Sequence, residues 1–278
     1  MIIGLAMIGG GAAAGLFGSL LGLGGGILIV PLLTLGFALP LREAVGVSLV
    51  CVMMTSSAAA GVYLERHVAN LRLGMTLELF TAIGALIGGS VAFLIDERLV
   101  SILFAGLLGY VAITMFRAPG RDGSLAGETP DAAMVLEPSH AAPSPSVLDR
   151  LAGDDYRVRN LGRGVLGATG AGVASALLGI GGGTIKVPLM HLSMGVPLRV
   201  ATATSNLMIG ITAAASAIIY LIHGGIDPYV AGPTALGVFV GATAGSRLGH
   251  RLDLRYVRWL FVVVLSYTAL QMLSRAVG

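Results

Sequence analysis

The sequence matches itself without a gap at an offset of 157 residues (Gly179 minus Gly22), and that repeat limits the fold more than any other feature. The shift carries Gly22-Leu-Gly-Gly-Gly26 onto Gly179-Ile-Gly-Gly-Gly183 and Val30-Pro31-Leu32 onto Val187-Pro188-Leu189. Pro40-Leu41-Arg42 then meets Pro197-Leu198-Arg199, Ser48 meets Ser205, and Thr55 meets Thr212. Gly84, Gly88, Asp96, Arg98 and Tyr110 land on Gly241, Gly245, Asp253, Arg255 and Tyr267. Shared apolar composition does not place Gly, Pro, Arg and Asp in register over such a length. The chain is therefore two copies of one unit, 1–116 and 161–278, joined by a segment of different character.

That segment, 117–160, is rich in Pro, Gly, Ser, Ala and charge, including Ala-Ala-Pro-Ser-Pro-Ser at 141–146. It carries too little apolar surface to offset the entropy of ordering and is expected to be a flexible linker. Both repeats are the opposite. The chain is 55% hydrophobic and 11% charged, with a mean hydropathy of +0.90. It contains several apolar runs of about 20 residues, enough to cross ~30 Å of hydrocarbon. A multi-span membrane protein follows, with the lipid bilayer as its solvent. Met1–Leu23 is not expected to be a signal peptide, because no basic segment precedes the apolar run. The sole cysteine, Cys51, excludes an internal disulfide framework. The basic pI of about 9.3 comes from arginines scattered over loops, so no nucleic-acid partner is expected.

Each repeat reads as a long apolar stretch, a glycine run, a short apolar segment and three full spans. In the first copy the short segment is 27–39 and the spans are about 43–63, 74–95 and 98–116. The second copy repeats this at about 163–180, 184–196, 200–222, 230–250 and 256–274. A segment of about 13 residues is only ~20 Å long as a helix, too short to cross. The expectation is a hairpin that enters the membrane, turns at the glycines and returns. Charge then sets orientation. If each hairpin returns, one face carries Arg66, Arg72, the six arginines from Arg117 to Arg163, Arg199, Arg247, Arg251, Arg255 and Arg258. That is 2 + 6 + 5 = 13 arginines, against 3 (Arg42, Arg98, Arg275) on the other face. The excess of positive charge belongs in the cytoplasm. This puts the linker inside and both termini outside, and it inverts one half relative to the other, a plan common in secondary transporters. The expected fold class is thus an all-α polytopic membrane protein of two inverted repeats, each a glycine-tipped broken-helix hairpin plus three transmembrane helices.

The glycine runs match neither a dinucleotide fingerprint nor a phosphate-binding P-loop, since the spacing around Gly22–Gly26 and the residue after Lys186 are both wrong. Glycine nevertheless lets backbone approach a ligand closely. Two hairpins of opposite orientation would bring Gly24, Gly25 and Gly26 against Gly181, Gly182 and Gly183 near the midplane, with helix starts facing a shared site. Close helix packing is the alternative role for membrane glycines, and it accounts for Gly84, Gly88, Gly241 and Gly245. Polar residues cluster nearby: Thr184, then Thr202, Thr204, Ser205 and Asn206, whose counterpart segment in the first half keeps only Ser48. Lys186 is the only lysine in the chain, and its repeat partner is Ile29. A lone ammonium a few residues past the glycines is costly in the membrane unless an anion or a wet cavity compensates it, or it snorkels to an interface. Of the acids, only Glu78 lies about a turn inside a span, so no deep carboxylate pair suggests a cation or proton relay. An intramembrane enzyme would need a nucleophile and base or a metal cluster at depth, and the sequence places none there. The expected ligand is a small anion, held by Lys186, Gly24–Gly26, Gly181–Gly183, Thr184, Thr204, Ser205, Asn206 and, more weakly, Ser48.

The paired Gly-Leu-Gly-Gly-Gly-Ile-Leu-Ile-Val-Pro-Leu-Leu and Gly-Ile-Gly-Gly-Gly-Thr-Ile-Lys-Val-Pro-Leu-Met motifs, each followed by a proline-initiated span, resemble the TauE/SafE sulfite exporter family. The resemblance covers both halves and leaves out the linker. It implies transport of a sulfur-containing anion such as sulfite, sulfoacetate, a related organosulfonate or thiosulfate, commonly outward, across a bacterial inner membrane. It implies no cofactor and no catalysis, and a homodimer is compatible with it. An interior-negative potential favours anion exit by ~2.3 kcal/mol per charge per 100 mV.

Overall fold

A computed structural model describes residues 2–20, 25–65, 69–117, 158–248 and 254–277. Apart from its ends, the 117–160 linker lies outside the described residues, as does Gly24. The described residues form ten α-helices. In the first half these are α1 (Ile2–Leu20), α2 (Gly26–Pro31), α3 (Leu41–Glu65), α4 (Leu71–Ala92) and α5 (Glu97–Arg117). The second half repeats the order as α6 (Leu161–Leu178), α7 (Gly183–Pro188), α8 (Leu198–Ile222), α9 (Pro228–Leu248) and α10 (Leu254–Val277). Four described segments, Leu71–Ala92, Glu97–Phe116, Leu161–Leu178 and Val200–Ile222, are long and apolar enough to cross a membrane. Large apolar side chains stay on the outer surface, among them Leu79, Ile83, Leu166, Ile218 and Leu236. In lipid such exposure carries no hydrophobic cost.

The short helices end in the same way for the same reason. Pro31 and Pro188 each close a six-residue helix, and each is followed by a π-helical turn, Leu32–Gly36 and Leu189–Ser193. A proline lacks the N–H that would continue the ladder, and widening the next turn accommodates the ring. Thr34 returns its hydroxyl to the Val30 carbonyl at 2.9 Å, giving that acceptor a partner.

In each half the short helix doubles back along the helix before it. A Cβ at Gly18 of α1 would overlap the Gly25 Cα, and one at Gly10 would sit 3.1 Å from Leu32 Cδ2. Going back along α1 thus means going forward along α2 and its π turn. The second hairpin has the same register: Gly182 lies beside Ala171, Gly167 beside Leu189 and Gly164 beside Met194.

The long helices pair across the repeat. α1 packs on α9, α4 on α6, α3 on α8 and α5 on α10. Glycines set the two closest pairings. A Cβ at Gly237, Gly241 or Gly245 of α9 would overlap or crowd the Ile8, Ala12 or Leu16 carbonyl of α1. In α4, Gly84 and Gly88 lie in the same way against Thr169 and Val173 of α6. Residue numbers rise together in both pairs, so the partners run in the same direction. These glycines are packing residues, which lets backbones approach where a side chain would hold them apart.

Candidate functional site

The two hairpin tips meet at the centre of the molecule. Gly25 and Gly182, the residues before α2 and α7, both have φ of 74°, and Gly181 has 75°. Glycine takes this left-handed backbone without the Cβ penalty of other residues. A Cβ at Gly26 would lie 2.7 Å from the Gly179 carbonyl oxygen and 3.2 Å from Ile180 Cα, so the tips touch through backbone. Ser48 of α3 fastens them, its hydroxyl donating to the Gly179 carbonyl at 2.7 Å and more weakly to Gly26 at 3.3 Å. Gly181 fits between Val52 of α3 and Ile209 of α8. One turn further on, the Ser56 hydroxyl donates to the Asn206 carbonyl at 2.5 Å and ties α3 to α8.

Around the second tip three hydroxyls have no partner among the described residues: Ser175 on α6, Thr184 on α7 and Ser205 on α8. All three oxygens are buried, and the Ser175 and Ser205 residues are 0% and 1% exposed. Ser175 and the stem of Lys186 both flank Gly182, within 3.3 and 3.4 Å of where its Cβ would be. Ser205 approaches Gly183 to 3.7 Å on the same measure. Native structures seldom leave buried hydroxyls unpaired, and these three belong to residues in or beside one backbone turn.

Beside the tip lies a buried ionic cluster. Lys186, 1% exposed, places Nζ 3.2 Å from Glu78 Oε2 of α4. The ammonium also donates to Thr212 Oγ1 at 2.5 Å, and that hydroxyl lies 2.6 Å from Glu78 Oε1 and 3.0 Å from the Met208 carbonyl. Thr212 thus accepts from the lysine while its own proton faces the carboxylate. Ser216 donates to the Thr212 carbonyl at 3.0 Å, one turn along α8. α4 belongs to the first half and α7 and α8 to the second, so the pair spans the repeat.

The structure redistributes the expected site residues. Gly26 meets the second tip at Gly179 and Ile180, while Gly25 lies beside Gly18 and Thr55; Gly181, Gly182 and Gly183 form the second turn, followed by Thr184 and with Ser205 beside Gly183. The Asn206 side chain is mostly buried on the same helix turn as Ser205. Thr204 points elsewhere: its hydroxyl accepts from the Asn70 N–H at 3.0 Å, just before α4. Ser48 is occupied as the clamp between the tips. Lys186 is buried, and the partner that meets its charge is a carboxylate, Glu78, in place of an interface. Glu78, Thr212 and Ser175 join the site unanticipated. The signal for the first was in the sequence, since the chain's only lysine and its only acid well inside a span are the two deep charges, and deep charges seek each other. Thr212 and Ser175 had no signal beyond being hydroxyls in spans.

The family described as sulfite exporter TauE/SafE matches residues 7–272. The "Probable membrane transporter protein YunE" of Bacillus subtilis (strain 168) is 25% identical over 276 residues, covering 96% of each chain. A "Probable membrane transporter protein" of Xylella fastidiosa (strain 9a5c) is 29% identical over 90% of this chain and 84% of its own. The "Probable membrane transporter protein MamO" of Magnetospirillum gryphiswaldense is 26% identical over 98% of this chain, which spans 45% of that longer protein. No solved structure matches.

Proposed function

The chain belongs to the TauE/SafE sulfite exporter family and is a multi-pass membrane transporter, and from that premise we propose that it exports a small sulfur-containing anion through the junction of its two hairpin tips. The observation that carries the site is the trio of unpartnered hydroxyls, Ser175, Thr184 and Ser205, around Gly181–Gly183. Sulfite and sulfonate groups present three oxygens in a pyramid, and converging O–H donors on a backbone turn suit that shape. Asn206 adds an amide on the neighbouring position of α8, and Lys186 supplies positive charge behind Gly182. Purified protein in proteoliposomes should move radiolabelled sulfite, thiosulfate or sulfoacetate faster than protein-free vesicles. If none of the three moved, the anion reading would fall.

The halves are proposed to be inverted, with the linker cytoplasmic, both termini outside and the protein in the bacterial inner membrane. Support comes from the parallel run of α1 with α9 and of α4 with α6. Because α2 returns along α1, α3 sets out in the direction of α1 and α4 reverses it, so α1 and α4 oppose each other; α9, the counterpart of α4, runs with α1. The arginine asymmetry of 13 to 3 favours the linker face as the cytoplasmic one. Cysteines introduced at Ser144 and next to Gly278, in a Cys51→Ala background, should label from opposite faces of intact cells. Labelling from one face would remove the inverted arrangement.

A further inference from the structure

We infer that Glu78 is a proton-binding site coupled to the anion site, so that the anion crosses together with a proton; this rests on the transport reading above. At rest the cluster is electrically balanced, one ammonium against one carboxylate at 3.2 Å. Glu78 occupies the charge that an anion at the second tip needs. An anion arriving beside Gly182 would add a second negative charge to a pocket with a single cation, deep among apolar helices. Like charges so placed do not stay ionised together. The balanced alternative is for a proton from the aqueous side to form an O–H on the Glu78 carboxylate while the anion takes the lysine's charge. Before and after that exchange the site is neutral. Anion and proton therefore bind cooperatively and leave together.

No other group stands ready for this role. The elements packed on α4 and α7 are α6 and α8. Among their described side chains the charged or titratable ones are Arg163 on α6, Tyr220 on α8 and His223 just after it, with Arg72 on α4 and His191 beyond α7; all are exposed but Tyr220, whose hydroxyl is held by the Ala176 carbonyl at 3.1 Å, two turns along α8 from Thr212. Thr212 is the relay between the partners: it accepts from Lys186 and faces Glu78, so it can turn its proton as the carboxyl changes state. The repeat does not carry this device twice: the counterparts of Lys186 and Glu78 are Ile29 on α2 and Ala235 on α9. Coupling through one of the two pseudo-equivalent lobes gives one proton per anion. A monovalent anion then crosses without net charge, and the anion and proton gradients set direction.

The test is wild-type and Glu78→Gln protein in proteoliposomes with a trapped pH dye, each loaded in turn with radiolabelled sulfite, thiosulfate or sulfoacetate. Protein-free vesicles give the leak. Wild type should move about one proton per anion, and lowering pH on the loaded side should tighten apparent anion affinity by up to about tenfold per pH unit, the limit for one linked proton. Whatever anion flux Glu78→Gln retains should carry a proton-to-anion ratio at least fivefold lower, with a flat pH profile. Anion flux in wild type with no dye response, or an unchanged ratio in Glu78→Gln, would overturn the inference while leaving the transporter reading intact. Absence of flux for all three anions would instead remove that reading. Should Glu78→Gln not fold, the wild-type ratio and pH profile decide alone.

Discussion

The two hairpins share a backbone and differ in chemistry. Both begin at a glycine of φ 74°, end at a proline and widen into a π turn. In the repeat, Gly18, Ile27, Ile29, Leu49 and Ala235 correspond to Ser175, Thr184, Lys186, Asn206 and Glu78, the last of each set lying in the opposite half, on α9 or α4. Ile27 and Ile29 are fully buried hydrophobes of the central core. Duplication supplied the scaffold twice, and the polar groups gather at one copy.

The largest expected difference between the lobes is the cost of losing the lysine. Lys186→Met strands Glu78 in a dry interior, and breaking one partner of a buried pair costs ~3–5 kcal/mol. Ile29→Met at the equivalent point is a near-isosteric change in a packed core and should cost less than about 1.5 kcal/mol. Thermal melts of detergent-solubilised protein compare the two directly. Lys186→Met with Glu78→Met should recover most of the stability and none of the anion transport. If the double variant melted as low as the single, the pair would be holding the fold through more than its charges.

The glycines before each short helix test whether the tips are alike. Replacing Gly25 or Gly182 by alanine forces a side chain into left-handed backbone, worth ~1–2 kcal/mol at either position. Space separates them beyond that. At Gly25 the new Cβ meets only Thr55 Cγ2 at 3.6 Å and Ile29 Cδ1 at 3.8 Å, which is ordinary contact. At Gly182 it meets the Ala171 carbonyl oxygen at 3.2 Å, Ser175 Cβ at 3.3 Å and Lys186 Cε at 3.4 Å. Gly182→Ala should therefore lower both melting temperature and flux more than Gly25→Ala. Equal losses would mean that backbone strain, not the occupied second tip, controls transport.

How far the sequence foretold this arrangement depends on the range of the interaction. The helices and hairpins were legible because apolar runs, glycine turns and prolines are local signals, and the helix-packing glycines lay in register between the copies. The Glu78–Lys186 pair joins residues 108 positions apart and crosses from one half to the other, so no spacing rule brings it out. Thr204 shows the same limit in miniature. It sits amid the polar run Thr202–Asn206, yet the rotation of about 100° between it and Ser205 aims it at the Asn70 N–H instead of the tip. Side-chain direction on α8 is fixed by what packs around it.

Ser48 and Ser205 give the smallest and sharpest contrast, because they are the same residue at the same place in the repeat. Ser48 donates to the Gly179 carbonyl at 2.7 Å and clamps the tips; Ser205 has no partner among the described residues. Ser48→Ala leaves a buried carbonyl short of a donor and should cost ~1 kcal/mol of stability, within the usual range for one intramolecular hydrogen bond. Ser205→Ala removes no bond and relieves a buried hydroxyl of its missing partner, so the melting temperature should hold or rise slightly. Anion binding should respond in the opposite order. If Ser205 is a ligand, its loss weakens apparent affinity by ~1.5–3 kcal/mol, the worth of a hydrogen bond to a charged group, while Ser48→Ala changes affinity less. The measurement is a concentration series of anion flux beside a melt for each variant. A Ser205→Ala protein with wild-type concentration dependence would make that hydroxyl a bystander and move recognition to Ser175, Thr184 and the Gly181–Gly183 backbone.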